Sequence, residues 1–242
     1  MTRIFKPDSG ADLKIQNNGG TGSVTITDAS DLTIDSPADI ILDAEGADIT
    51  LKDGGTTFGT LKQASGHLVI QPTSSKQIIL NDEGGSAALT ISTDGYVTKS
   101  NQPIFSAYLS AEQSNIVAGG WVDVDFDTLD FACSHYNTTN KDFTTPIAGK
   151  YQFNIFLRLN NLDKDATYYQ ISLNIGGSSY YGPIIDPNFT ADLNYYFFSW
   201  ACIVNLGAST AVKVQIYQHA GTDQTDIVDS TQQSKWSGFL IS

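Results

Sequence analysis

DLTIDSPADIILDAEGADITLKDGG, residues 31–55, repeats one figure: two apolar residues flank a third, and an acidic or glycine-bearing break follows. Leu32/Ile34, Ile40/Leu42 and Ile49/Leu51 are three instances. Alternation over three residues is a short strand with one buried face. The figure runs from Leu13/Ile15 and Val24/Ile26 through to Leu68/Ile70, Ile78/Leu80 and Leu89/Ile91, with a weaker instance in TTFGTLK. The breaks NNGG, DAEG, DGG and NDEGG are turn chemistry, because Gly, Asn and Asp accept positive φ. Repetition at a short period predicts a stack of one supersecondary unit.

Each repeat carries too few apolar side chains to close a core, so the packing partner must be found elsewhere. Three arrangements compete. A calcium-binding nonapeptide roll needs tandem G-G-x-G-x-D turns, which never recur here. A single-chain β-helix with two apolar residues per coil is starved of interior. The third has several chains wrapping one axis, each supplying a strand per layer, so that Leu32, Ile34, Ile40, Leu42, Ile49, Leu51, Leu68, Ile70, Ile78 and Leu80 meet their copies there. The residue pattern favours this intertwined shaft.

Aromatic residues divide the chain. Of 26 in 242 residues, three (Phe5, Phe58 and Tyr96) precede residue 100. Charge does not divide it, since the two parts carry 7 basic with 13 acidic and 6 basic with 13 acidic residues. The change is therefore one of core chemistry, and it falls near TKSNQP, residues 98–103. Beyond it come longer alternating strands such as Tyr151/Phe153/Ile155/Leu157 and Val212/Val214/Ile216. Several such strands in about 140 residues predict a β-sandwich, with jelly-roll topology as one common form.

The net charge of −13 disfavours nucleic acid, because there is no basic surface to displace counterions. No apolar run approaches the roughly 20 residues of a membrane span, and the N-terminal residues lack a signal-peptide core. Cys133 and Cys202 make no disulfide framework and read as small buried residues of a protein assembled in a reducing cytoplasm. His67, His135 and His219 have no zinc spacing, no nucleophile elbow or phosphate loop appears, and no carboxylate pair stands out as a glycosidase pair, so the chain reads as a non-enzyme. In VDVDFDTLD, the spacing places Asp123, Asp125 and Asp127 on one strand face. A solvated face is the first reading, and a calcium site at Asp123 and Asp125 the second. The stretch GGSSYYGPIIDPNFTADLNYY reads as a loop. Its Tyr180, Tyr181, Asp186, Asn188, Phe189 and Tyr195 combine rings with polar groups, as recognition surfaces do. Core or subunit-interface packing is the alternative for the aromatics.

The second part contains Phe126-Asp127, then Tyr136 preceding Phe143, Pro146, Gly149, Tyr151 and Phe153, and closes on Trp236-Ser237-Gly238-Phe239-Leu240. In these residues it resembles the globular head of complement's first component, subunit q, a jelly roll shared with tumour necrosis factor. The resemblance covers about 140 residues and is loose between 158 and 205. The family's Gly-Asp before the penultimate strand is replaced by Gly207-Ala208-Ser209-Thr210. The resemblance implies a compact trimer with aromatic residues along a three-fold axis. The repeats, in turn, resemble β-repeat shafts in fibre proteins of bacteriophages, particularly marine and cyanobacterial ones. Together these imply a homotrimeric, virion-borne tail fibre assembled in the host cytoplasm and displayed extracellularly. Residues 1–20 would attach to another virion protein, 21–99 would form the shaft, and 100–242 a head binding a host glycan or surface protein. A structural fibre or capsid decoration without a receptor is the alternative, and a polysaccharide depolymerase a more distant one.

Overall fold

The computed structural model describes residues 39–42, 48–229 and 233–242, and no helix occurs among them. The expected attachment segment 1–20 and the pairs from Leu13 to Ile34, Leu32 included, lie outside the described residues. By packing, the chain divides between Thr73 and Ser74.

In the first unit, β1 (Asp48–Asp53), β2 (Thr56–Ala64) and β3 (His67–Pro72) form an antiparallel sheet in chain order. Its two hairpins close on Gly54-Gly55 and Ser65-Gly66, all four at positive φ. Positive φ at both loop positions is what a two-residue turn requires to match strand twist. Directly opposed residues share a face, so Ile49–Leu61–Ile70 and Leu51–Gly59–Pro72 make one apolar surface. Gly59 sits where a Cβ would meet the Gln71 carbonyl oxygen at 3.2 Å. It is also the one buried residue among the described residues 39–98.

A second three-stranded sheet repeats the scheme with β4 (Ile78–Asn81), β5 (Ala87–Ile91) and β6 (Val97–Thr98). Here Ile78–Ile91–Val97 and Leu80–Leu89 share a face. Two expectations change. The described strands pair with their own chain as meanders instead of supplying one strand per layer. The weak instance TTFGTLK lies within the nine-residue central strand of the first meander, because hydrogen bonding on both edges compensates for its modest apolar content. The described Leu/Ile pairs nevertheless find no interior among the described residues: none is buried, and Ile40, Leu42, Leu68, Ile70 and Leu80 are all more than half exposed.

The remaining strands build two six-stranded antiparallel sheets. Sheet I has the order β10 (Tyr136–Asn137), β11 (Asp142–Thr144), β16 (Ala211–His219), β13 (Tyr168–Ile175), β14 (Ser178–Ile185), with β8 (Trp121–Asp123) also on β16. Sheet II has the order β15 (Tyr196–Leu206), β12 (Gly149–Asn160), β18 (Lys235–Leu240), β7 (Ile104–Tyr108), β9 (Thr128–Leu129), with β17 (Asp226–Ile227) on β12. Following the chain, β7, β9, β12, β15, β17 and β18 of sheet II alternate with β8, β10–β11, β13–β14 and β16 of sheet I, which is a jelly-roll winding. Alternate residues face inward, so Tyr151, Phe153, Ile155, Leu157 and Leu159 of β12 meet Tyr169, Ile171 and Leu173 of β13 and Val212, Val214 and Ile216 of β16 in one core.

The residues that carried the family resemblance form the aromatic centre of this core. Phe105 stacks on Phe143 with centroids 4.6 Å apart and meets Trp236 edge-on at 4.7 Å. The buried Tyr136 hydroxyl donates to the Phe126 carbonyl at 2.6 Å, and its ionisation is strongly raised by burial. Gly238 lies between rings, and a Cβ there would fall 2.6 Å from Phe153 and 2.7 Å from Phe105. The stretch read as a loop around Tyr180 is instead strand β14. Pro183 concealed it, but β14 is an edge strand, where a missing N–H costs no ladder bond. A register shift opposite Gln170–Ser172 absorbs the irregularity.

Candidate functional site

Two outer surfaces of the sandwich differ in chemistry. On sheet II, outward residues of β15, β12, β18 and β7 fall into cross-strand rows. One row reads Ile203–Gln152–Phe239–Ile104 and another Ser199–Phe156–Lys235–Tyr108. Ile104, Phe156, Phe197 and Ile203 are each 44–58% exposed. Lys235 is held by Asp130, which also accepts from the Ser106 hydroxyl at 2.6 Å. Burial pushes the Asp130 carboxyl up, but the hydrogen bonds from Lys235 and Ser106 outweigh it and hold it below its usual range. This neutralises Lys235 on a mixed face, where Ile104, Phe156, Phe197 and Ile203 stand among Gln152, Asn154 and Arg158.

On sheet I, four neighbouring strands contribute rings to an aromatic shelf. Trp121 of β8 lies opposite Tyr217 of β16, with ring centroids 5.2 Å apart. Tyr217 continues to Tyr168 of β13 at 5.7 Å, and Trp121 to Tyr181 of β14 at 5.8 Å. These four rings surround Gln170 and bound a recess of about 300 Å³. His219 extends the shelf, stacked on Tyr168 at 4.8 Å. A larger recess, about 700 Å³, follows the β10–β11 hairpin, but its lining is mostly Ser, Thr and Asn without a comparable shelf of rings.

The six residues singled out for recognition do not form one surface. Tyr181 joins the shelf. Tyr180, one residue earlier and hence on the opposite face of β14, stacks on Trp200 at 5.9 Å. Phe189 packs against the core beside Tyr196. Asp186 and Asn188 are exposed and linked by a backbone hydrogen bond of 2.9 Å. Tyr195 lies under the Arg158 guanidinium at 4.3 Å, in the left-handed region at φ 76°. Trp121, Tyr168, Gln170 and Tyr217 were missed because they come from three separate strands. Only the outward positions of Tyr168, Gln170 and Tyr217 in alternating runs signalled them.

The acidic run also separates. β8 ends at Asp123, so the three carboxylates do not line one strand face. Asp123 accepts from Lys213 at 2.9 Å and Gln215 at 2.7 Å, while Asp125 pairs with Lys141 at 2.7 Å. Asp127 accepts the Ser110 backbone N–H and hydroxyl, which outweigh the upward push of burial and lower its ionisation. With separate cationic partners engaged, Asp123 and Asp125 are not arranged as a shared calcium ligand set. No group of three potential metal ligands occurs among the described residues. Both cysteines are free and half-buried, and burial raises the Cys202 thiol to about 11.

No protein-family model matches the chain, and no curated protein matches it. Among solved structures, it is similar to the globular domain of a zebrafish complement 1qA protein, at 15% identity and TM-score 0.42, over 59% of this chain and 98% of that one. It is also similar to the Eiger TNF of S. frugiperda, at 11% identity and TM-score 0.46, over 58% and 93%. Murine APRIL is a third, at 9% identity and TM-score 0.42, over 58% and 100%. The jelly-roll description of this chain rests on its own strand order.

Proposed function

We propose that the chain is a homotrimeric fibre component of a bacteriophage virion, with a β-repeat shaft and a head that attaches to the host cell surface. The observation that carries the reading is the pair of apolar faces built by Ile49, Leu61 and Ile70 and by Ile78, Ile91 and Val97, none of which is buried among the described residues. Burying one such aliphatic side chain is worth about 1.5–3 kcal/mol, and a three-fold assembly applies that gain to every layer. Ile104, Phe156, Phe197 and Ile203 on the outer face of sheet II offer the head a subunit contact of its own.

The resemblance of the repeats to phage shafts supports the virion assignment, and the charge of −13 suits a particle surface that must stay dispersed. Residues 1–20 are proposed to dock on another virion protein. Three heads on one shaft would turn weak single contacts into avid attachment. Two measurements test this reading. Light scattering on the purified chain is expected to give a trimer, and labelled protein is expected to bind susceptible bacterial cells. A trimer that binds none of a broad panel of cells would instead favour a structural fibre or capsid decoration.

A further inference from the structure

We infer that the aromatic shelf on sheet I is a carbohydrate-binding site that takes an uncharged hexopyranose unit. The inference rests on the attachment reading above and assigns that attachment its ligand class. The Trp and Tyr ring faces carry negative quadrupole density, which complements the weakly positive C–H face of a pyranose ring. Gln170 lies among the rings, where it can read a sugar hydroxyl as donor or acceptor. The recess, about 300 Å³, falls at the small end of ligand sites, suiting one sugar unit.

Polar groups at this face are unspent. Gln170 makes one long contact, from Nε2 to the Gly182 carbonyl at 3.4 Å, and its Oε1 accepts no hydrogen bond among the described residues. The Tyr168, Tyr181 and Tyr217 hydroxyls likewise have no hydrogen-bond partner among them. Ser172 Oγ and His219 Nδ1 are buried without partners. Those two atoms do not line the recess; Gln170 Oε1 does, and it is the free acceptor to which a ligand hydroxyl can donate. A purely structural ladder of cross-strand rings would account for the stacking, since such pairs stabilise a sheet by about 0.2–1 kcal/mol. It would not account for an amide placed between the rings with its oxygen free.

Charge selects the ligand further. No arginine or lysine lines the recess, and nearby Lys213 is engaged by Asp123. A phosphate or acidic sugar would find no counter-charge here and would meet a strongly anionic chain, whereas a neutral sugar pays neither penalty. The shelf lies on the sheet I side, opposite the sheet II face proposed as the head's subunit contact, so assembly leaves it open in all three copies.

The 242-residue chain is to be tested on immobilised glucosides, galactosides, mannosides and N-acetylglucosaminides, and on a panel of bacterial cells. Saturable binding to at least one sugar is expected. It should fall at least about tenfold, or 1.4 kcal/mol, in Trp121→Ala and Gln170→Ala. Trp121→Phe should retain most of it, and Tyr180→Ala, on the other face of β14, should leave it unchanged. Near-ultraviolet circular dichroism and solution mass verify that each variant is folded and assembled. Binding to none of the sugars, or binding indifferent to Trp121 and Gln170 in folded variants, overturns the inference. The cell arm separates the two claims. Binding that survives periodate but is lost after protease overturns the sugar site and leaves attachment standing. Sugar binding without binding to any cell overturns attachment and leaves the sugar site standing.

Discussion

The repeat sheets and the sandwich are both antiparallel and both alternate apolar with polar residues, yet one buries what the other leaves bare. Among the described residues, every buried apolar side chain lies between Pro103 and Trp236, while residues 39–98 bury only Gly59. The difference is one of layers. Two sheets facing each other close a core within one chain, and a single three-stranded meander has nothing to face. Identical local patterning can therefore specify a self-sufficient domain or a half-interface, depending on whether the chain supplies the second layer.

Three substitutions probe that contrast, from the largest expected effect to the smallest. Ile70 is 57% exposed in the single chain, so Ile70→Asp would cost a monomer no more than about 0.5 kcal/mol. If three copies converge on that face, it buries three carboxylates and should abolish assembly, since uncompensated buried charge costs several kcal/mol per group. Sedimentation of the variant reads the difference directly. In the sandwich, Gly238→Ala should cost about 1–3 kcal/mol by overpacking, because the new methyl meets Phe153 and Phe105 well inside contact distance. Differential scanning calorimetry should show the head transition lowered.

Asp163 gives the smallest and most pH-dependent effect. Its carboxylate is buried and accepts three backbone N–H bonds, from Thr222 at 2.6 Å, Asp165 at 2.8 Å and Asp223 at 2.9 Å. Burial pushes its ionisation up, but these bonds outweigh it and hold the folded-state value below the ordinary one. A depressed carboxyl contributes stability that is present above its unfolded pKa, about 3.9, and is lost as pH falls through the folded value. Asp163→Asn should therefore cost about 1–2 kcal/mol at neutral pH and little in strong acid. Denaturant melts at both pH values check this, and equal losses would contradict the assignment.

Much of the architecture was legible from period alone. Alternation located the long sandwich strands β12 and β16, and the paired Leu and Ile residues marked the repeat strands. The resemblance motifs proved to be the aromatic core itself, because Tyr136, Phe143, Tyr151, Phe153 and Trp236 cluster there. Period could not say which strands pair with which, so meanders within one chain were not distinguished from strands shared between chains. β14 was hidden because Gly182 and Pro183 read as loop, a rule that relaxes at a sheet edge. The shelf was invisible for a different reason. Trp121 and Tyr217 stand nearly a hundred residues apart, and only β8 pairing with β16 makes them neighbours.

The central claim, that this chain obtains part of its hydrophobic interior from copies of itself, is tested most directly by solution mass. Multi-angle light scattering of the 242-residue chain is predicted to give about 78 kDa, three times 26.1 kDa. A stable, well-dispersed species of 26.1 kDa would contradict it.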